Sequence, residues 1–232
     1  MDKGGNPFEN IMKQSAQQDL RYQPLYTLSE VSRYARVKPA TLRSWTQNGG
    51  ARVIIPADVS GIAPFSFINL IELYILEALR HNYHVPLQRI RRAVEWLHQK
   101  YGFANPLAAR NLETNGYDLF IRELGIPINA SRKGQGGFPE VLARYLQRIE
   151  RDAGQIPTRF YPYTYDRAPK IIVMDPAVAY GRPVVVGTRI TSQMIFDRYS
   201  GGESLNDIAV DYDLDISRVE EALRCEIERI AA

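Results

Sequence analysis

The regular pattern of apolar and polar positions begins at Tyr26 and predicts two short helices. Thr27-Leu28-Ser29-Glu30 has the form of a capping box, in which the threonine hydroxyl and the glutamate each satisfy a backbone N–H of the other. The first helix has one apolar face, formed by Leu28, Val31 and Ala35. After a turn at Val37-Lys38, Pro39 suits the first position of a second helix, which runs to Gln47. Two short helices around a tight turn predict a helix-turn-helix.

A loop with prolines and glycines leads from this pair to a strand and two longer helices. Phe65-Ser66-Phe67 alternates like a short strand. Residues 69–81 predict a helix that is apolar almost all round, which is typical of a helix buried in a core or facing a second copy in a dimer. Pro86 begins a fourth helix, whose apolar face is formed by Leu87, Ile90, Val94, Leu97 and Tyr101.

The middle of the chain has weaker signals. Residues 112–121 predict a hairpin around a tight Asn115-Gly116 turn. Pro139 opens a predicted helix to about Arg151, and residues 157–169 predict an extended linker because prolines and tyrosines alternate there.

The last part of the chain predicts two short apolar strands and three helices. The strands are expected in residues 170–174 and 183–186, and the helices in 191–200, 204–211 and 216–230. The expected fold class is mainly α with small β elements. The chain is expected to divide into four segments. They are a flexible N-terminal tail (1–24), a winged helix-turn-helix domain (25–104, the head), an α+β middle segment with its linker (105–168), and a helical domain (169–232, called simply the tail below).

Composition excludes several classes of protein. No apolar run approaches the ~18 residues of a membrane span, and the polar N-terminus does not fit a secretory signal. A single cysteine excludes a disulfide framework within the chain, and three histidines leave little material for a metal centre. The last helix is expected to have an apolar stripe formed by Val219, Ala222, Leu223, Ile227 and Ile230, with Cys225 off this stripe as an incidental thiol. We expect a cytoplasmic protein without cofactor or metal, and without enzymatic activity.

Charge divides the chain into two unlike parts. Residues 169–232 hold seven basic and eleven acidic side chains, a net charge of −4, whereas residues 1–168 carry +7. A basic front part is a candidate for binding nucleic acid, and an acidic tail is more suited to a protein partner.

The second helix of the helix-turn-helix predicts a DNA-reading face. Leu42 and Trp45 share one side, so the other side faces outward. The alternative is a helical hairpin with a solvated basic face. For the DNA interpretation, we assign the contacts to Lys38, Ala40, Thr41, Arg43, Ser44 and Gln47.

Residues 26–31 and 39–45 resemble the winged helix-turn-helix that opens MerR-type regulators, and the resemblance extends over roughly residues 25–100. It implies that Arg43 and Ser44 lie where that family contacts DNA. The chain has a serine where an aromatic residue is usual, and it lacks the family's long C-terminal coiled coil.

A glycine-containing run joins the two predicted strands to the helices of the tail. It reads Gly181-Arg182-Pro183-Val184-Val185-Val186-Gly187-Thr188-Arg189-Ile190. A phosphate site is one interpretation, and turns that need positive φ at glycine are the other. With Gly202-Glu203-Ser204, the run resembles a family of small domains found in antitoxins that are encoded beside PIN-like ribonucleases.

Together, head and tail resemble VapB-type antitoxins with a DNA-binding N-terminal domain. The resemblance implies an antitoxin that inhibits a PIN-like ribonuclease toxin and binds operator DNA to repress its own promoter. We expect a homodimer, because one recognition helix covers few base pairs. The expected toxin-binding residues are Arg182, Arg189, Asp207, Asp211, Asp213 and Asp215. Arg189 could instead cap its own helix, and the acidic face could be merely solvated. The alternative function is a MerR-like regulator that senses a small ligand.

Overall fold

The protein is described by a computed structural model that covers residues 19–46, 53–58, 60–81, 84–102, 104–108, 144–162 and 168–230. Within these residues, helices dominate and the β structure consists of two small antiparallel pairs. The predicted fold class, mainly α with small β elements, is confirmed.

Four α-helices lie in the described residues of the head. They are α1 (Leu28–Ala35), α2 (Pro39–Thr46), α3 (Phe67–His81) and α4 (Leu87–Tyr101). The predicted capping box is present: the Glu30 N–H donates to Thr27 Oγ1 at 3.2 Å, and the Thr27 N–H donates to Glu30 Oε2 at 2.8 Å. Short 3-10 helices at Leu20–Tyr22 and Pro106–Ala108 pack against α3.

The predicted strand at Phe65-Ser66-Phe67 is wrong, although its first residue does pair. Phe65 forms an isolated antiparallel bridge with Tyr26. Ser66 then starts α3: the Asn69 N–H donates to Ser66 Oγ, and the Ser66 N–H donates to Asn69 Oδ1. This reciprocal pair of hydrogen bonds caps the helix, so α3 begins at Phe67, two residues before its predicted start.

Helix α3 lies at the centre of the head and is covered by the same chain. Its apolar side chains on every face are fully buried: Leu70, Ile71, Leu73, Ile75, Leu76 and Leu79. Leu97 of α4 is buried as well. Of the two interpretations of this helix, burial in a core is therefore correct and a face toward a second copy is wrong, because no apolar surface of α3 is left for one.

The middle of the chain contains an unpredicted hairpin. Strand β1 (Ile149–Arg151) pairs antiparallel with β2 (Pro157–Phe160), with Ile149 opposite Phe160. The predicted helix therefore ends before Ile149, and the predicted extended linker starts as a strand. Residues 144–146 are helical, as predicted. The predicted hairpin at residues 112–121 lies outside the described residues.

The tail follows its prediction closely. Strands β3 (Ile172–Val173) and β4 (Val184–Val185) pair antiparallel, and three helices follow: α5 (Ser192–Ser200), α6 (Leu205–Tyr212) and α7 (Ile216–Ile230). Their N-termini are defined locally, since Thr191 Oγ1 accepts from the Met194 N–H at 3.1 Å and Ser204 Oγ accepts from the Asp207 N–H at 3.2 Å.

Helix α7 is buried on more faces than its sequence predicts. It packs on α5 and α6, and also touches α1, β3 and β4. Cys225 is consequently 1% exposed within the tail core, whereas Ile227 of the predicted apolar stripe is 52% exposed. The prediction that Cys225 lies off the apolar face is wrong.

The tail is in contact with the rest of the chain across the predicted boundary at residue 168. Phe160 and Met174 form an antiparallel bridge, and both side chains belong to the core of the head. Residues 19–24, predicted as part of the flexible N-terminal segment, are also fixed by contacts. Asp19 caps the 3-10 helix, and Arg21 forms an ion pair with Asp152 at 2.5 Å.

Candidate nucleic-acid interface and tail surface

The turn between α1 and α2 is fixed by backbone contacts. Arg36 adopts the left-handed conformation (φ 57°) that ends α1, and the Val37 N–H donates to the Ser32 carbonyl at 2.9 Å. Ser32 Oγ donates to the Val37 carbonyl in return. These hydrogen bonds fix the direction in which the chain enters α2, so the position of the second helix is determined by the turn rather than by α2 itself.

Helix α2 is anchored by two side chains and exposes the remainder. Leu42 and Trp45 are 0% and 3% exposed, in the core of the head. On the opposite side Lys38, Ala40, Arg43 and Ser44 are exposed and Thr41 is partly exposed, as predicted. Gln47, the sixth predicted contact, lies outside the described residues.

Arg43 is suited to contact DNA. Among the described residues its guanidinium has no hydrogen bond and no ion pair. Ser44, in contrast, uses its hydroxyl locally, donating to the Thr41 carbonyl at 2.7 Å. A guanidinium can bind the O6 and N7 atoms of guanine or a phosphate, so the exposed face of α2 offers the chemistry that base or phosphate contact requires.

The acidic residues predicted in the tail are exposed, but several also have structural roles. Asp207 Oδ2 accepts from Ser204 Oγ at 2.6 Å in the first turn of α6, and Asp213 ends that helix in the left-handed conformation. Asp211 accepts from Arg198 at 2.6 Å, and Glu203 binds the same guanidinium. These two acids raise the pKa of Arg198. Asp215 is exposed at the start of α7.

The two predicted arginines of the tail differ in their surroundings. Arg182 is exposed and lies 3.8 Å from Glu30 of the capping box in the head. Arg189 is exposed and, among the described residues, has neither a hydrogen bond nor an ion pair. It does not cap α5, because Thr191 does. Arg189 lies at the edge of a groove of about 600 Å³ that Tyr161 and Arg159 also line.

The glycines of the tail run serve backbone geometry. Gly181 has φ +71° and Gly187 has φ +80°, which agrees with the interpretation as turns. Gly181 has a second role that its sequence does not reveal. Its carbonyl accepts from the Tyr26 hydroxyl at 2.9 Å, and this buried hydrogen bond joins the tail to the first residue of the helix-turn-helix pattern.

Several charged side chains are buried without having been predicted, and Glu72 and Arg148 are two of them. Glu72 of α3 is 1% exposed, accepts from Asn105 Nδ2 at 2.9 Å, and has a pKa raised to about 8 by burial. Arg148 is 6% exposed and donates to the carbonyls of Tyr161 and Ala168 at 2.9 and 2.6 Å. Neither residue belongs to a periodic polar pattern, so sequence offered no signal for them.

A metal centre and a membrane span are not found in the described part of the chain. There, no group of three or more His, Cys, Asp or Glu side chains is placed to hold a metal ion. Nor do the described helices include one that is long and apolar enough to cross a bilayer.

The fold and the exposed face of α2 define a helix-turn-helix head that is joined to an acidic helical tail. Both parts match known families. Residues 26–96 match the MerR helix-turn-helix family of regulatory proteins, and residues 172–224 match a family described as protein of unknown function, DUF433.

Similar proteins are found in Mycobacterium tuberculosis. The chain is 29% identical over 235 residues to "Putative antitoxin VapB45", covering 88% of this chain and 95% of that protein. It is 27% identical over 214 residues to "Uncharacterized protein Rv2308", covering 86% and 88%. The crystal structure of Rv2018 from the same organism superposes with a TM-score of 0.71 at 29% identity, covering 87% of this chain and 98% of that one. The resemblance to VapB-type antitoxins with a MerR-like head is thereby confirmed.

Proposed function

We propose that this protein is the antitoxin of a type II toxin–antitoxin system. It binds and inhibits a PIN-type ribonuclease through its tail, and it represses its own promoter by binding operator DNA through α2. Catalysis belongs to the partner, and the complex acts in the cytoplasm. The main observation in support is that two exposed arginines have no hydrogen bond or ion pair among the described residues: Arg43 on the second helix of the helix-turn-helix, and Arg189 on a tail similar to that of an antitoxin.

Operator binding is assigned to the exposed face of α2. Arg33, Arg36, Lys38 and Arg43 lie on the two helices or their turn, against a single acid, Glu30. This excess of positive charge favours contact with phosphate, which releases counterions and makes the affinity fall steeply with salt. The contact of Arg43 with a base edge adds ~1–3 kcal/mol of discrimination.

Toxin binding is assigned to the tail, with Arg189 as the principal contact. PIN-type ribonucleases hold Mg²⁺ with clustered carboxylates, and a guanidinium can pair with such a cluster. Among the described residues, Arg189 has no hydrogen bond or ion pair that it would have to give up. Arg182 would first have to leave Glu30, which lies 3.8 Å away. The acids Asp207, Asp211, Asp213 and Asp215 can face the basic RNA-binding surface of the ribonuclease.

The decisive experiment compares Arg43→Ala and Arg189→Ala in the full chain. Each variant is co-expressed with the neighbouring ribonuclease gene and tested for co-purification and for binding to its own promoter by fluorescence anisotropy. We expect Arg43→Ala to lose operator affinity and retain the toxin, and Arg189→Ala to do the reverse. Each variant is the matched control of the other. Operator binding that is insensitive to salt, or toxin retention by Arg189→Ala at wild-type affinity, contradicts the corresponding assignment.

We further propose that the protein binds DNA as a homodimer. Two recognition helices related by a two-fold axis read two half-sites, which lengthens the operator. Because α3 is fully covered within one chain, the dimer interface must lie on another surface. Light scattering at micromolar concentration tests this. A monomer mass together with intact operator binding refutes it.

A further inference from the structure

A cavity of about 450 Å³ lies beside the turn of the helix-turn-helix. Its walls come from the end of α1 with the turn and the start of α2, from α3 beginning at Tyr74, and from the helical turn at residues 144–146 of the middle segment. The volume lies in the range of sites for small molecules. It is separate from the arginines assigned above to DNA and toxin.

Three tyrosines give the cavity an aromatic wall. Tyr34 and Tyr74 are 8% and 6% exposed, so their rings are held in place by the core. The Tyr145 ring lies 5.0 Å from that of Tyr74 at an interplanar angle of 40°. Rigid aromatic faces attract apolar groups and also cations, which interact with the negative potential of the ring face.

One acid, Glu77, enters the same cavity from α3. It is half-buried, and burial raises the pKa of its carboxyl group. Among the described residues its ion-pair partner is His81, whose Nδ1 lies 3.8 Å away and whose side chain is 79% exposed. Glu72, five residues earlier on α3, shows the contrast, because two asparagine amides donate to its carboxyl group. Within the described part of the chain, no hydrogen bond is donated to the Glu77 carboxyl group, which lines the cavity.

We propose that this cavity binds a small organic cation, consisting of an aromatic or apolar body with an ammonium group. The body packs against the three tyrosines, and the ammonium donates to the Glu77 carboxylate. The cations Arg36 and Lys38 also line the cavity, but both are exposed side chains, whereas Glu77 is half-buried. The more buried charge is less screened by water and therefore selects the sign of the ligand.

A ligand at this place also contacts the DNA-reading unit. Val37, Lys38 and Thr41 line the cavity, and the last two belong to the proposed DNA face. A cation bound here therefore changes operator affinity, and by linkage operator DNA changes the affinity for the cation by the same factor. This second statement rests on the proposed function, whereas ligand binding is measured without DNA.

The test uses three probes of similar shape and different charge: 2-phenylethylamine, 2-phenylethanol and 3-phenylpropanoate. Titration of the full chain, followed by amide chemical shifts and calorimetry, should give a Kd on the order of 1 mM or tighter for the amine. The alcohol should bind about tenfold more weakly, because it lacks the charge-assisted hydrogen bond. The shifts should be centred on Ala35 and Val37.

Glu77→Gln tests the contribution of the negative charge while leaving the shape of the cavity nearly unchanged. This variant removes a half-buried charge, so it should fold, and it should lose about tenfold in affinity for the amine but not for the alcohol. Glu95→Gln, an exposed glutamate on α4, is the matched control and should bind the amine as the wild type does. Tighter binding of the carboxylate, unchanged amine affinity in Glu77→Gln, or no binding of the amine overturns the proposal.

Discussion

Substitution of Gly181 by alanine tests how the tail is seated on the head. Gly181 has φ +71°, and a Cβ atom added there would lie 2.1 Å from the Tyr26 hydroxyl oxygen. Tyr26 cannot move aside easily, because it is 1% exposed and its ring packs edge-on against Tyr34 at 5.7 Å. The methyl group must therefore displace either the tail loop or a core tyrosine.

The expected cost can be built from two parts. A left-handed conformation costs an L-residue about 1–2 kcal/mol. Loss of the buried hydrogen bond between Tyr26 and the Gly181 carbonyl adds about 0.5–1.5 kcal/mol, and the displaced ring increases this further. We expect Gly181→Ala to lower the free energy of unfolding by about 2–4 kcal/mol, which lowers the melting temperature by roughly 5–15 °C in a chain of this size.

Two controls isolate the steric part of this cost. Gly187 has φ +80°, but no atom lies within 4 Å of an added Cβ, so Gly187→Ala should show the backbone cost alone. In a Tyr26→Phe background, Gly181→Ala should be less costly than in the wild type, because the clashing oxygen is gone. Urea unfolding of the four proteins of this cycle and of Gly187→Ala measures both effects. The described contact between head and tail is wrong if Gly181→Ala lowers the free energy of unfolding no more than Gly187→Ala does. It is also wrong if the effects of Gly181→Ala and Tyr26→Phe on that free energy simply add.

Three further predictions concern groups that the core buries. Burial raises the pKa of Glu72 to about 8, so its contribution to stability is full below the unfolded-state pKa and declines as the pH rises through 8. Glu72→Gln should remove that decline, which urea unfolding at pH 5 and pH 8 detects. Arg148→Lys should lower the free energy of unfolding by at least about 2 kcal/mol, because one ammonium cannot reach all the carbonyls that the guanidinium binds. A smaller decrease, measured by thermal unfolding, contradicts that role. Cys225 should resist a disulfide reagent in the native protein and react in urea, and fast native labelling would show that α7 is not packed as described.

Helix boundaries were largely predictable from the sequence. The starts at Leu28, Ser192 and Leu205 each follow a Thr or Ser whose side chain caps the first turn. Such a cap involves residues two or three positions apart, so the sequence contains both partners. The exposed face of α2 was predictable for a similar reason, because Leu42 and Trp45 alone fix which side is buried.

The errors occurred where the partner lies far along the chain. Phe65 extends only because Tyr26 pairs with it, and Ile149 leaves its predicted helix because Phe160 lies opposite. The burial of Cys225 depends on α7 having neighbours on several sides. None of these pairings leaves a local pattern, because each is decided by surfaces that meet only in the folded chain.

The sequence by itself determined the order of the helices, the capping of their ends, the outward face of α2 and the division of charge between head and tail. These properties depend on neighbouring residues or on composition. Only the tertiary structure decided that α3 is fully covered within one chain, that Gly181 holds the tail to Tyr26, and that Glu77 meets three tyrosines in a cavity. The physical reason is that burial and contact between distant segments depend on how the helices pack, whereas caps and helical faces depend on separations of a few residues.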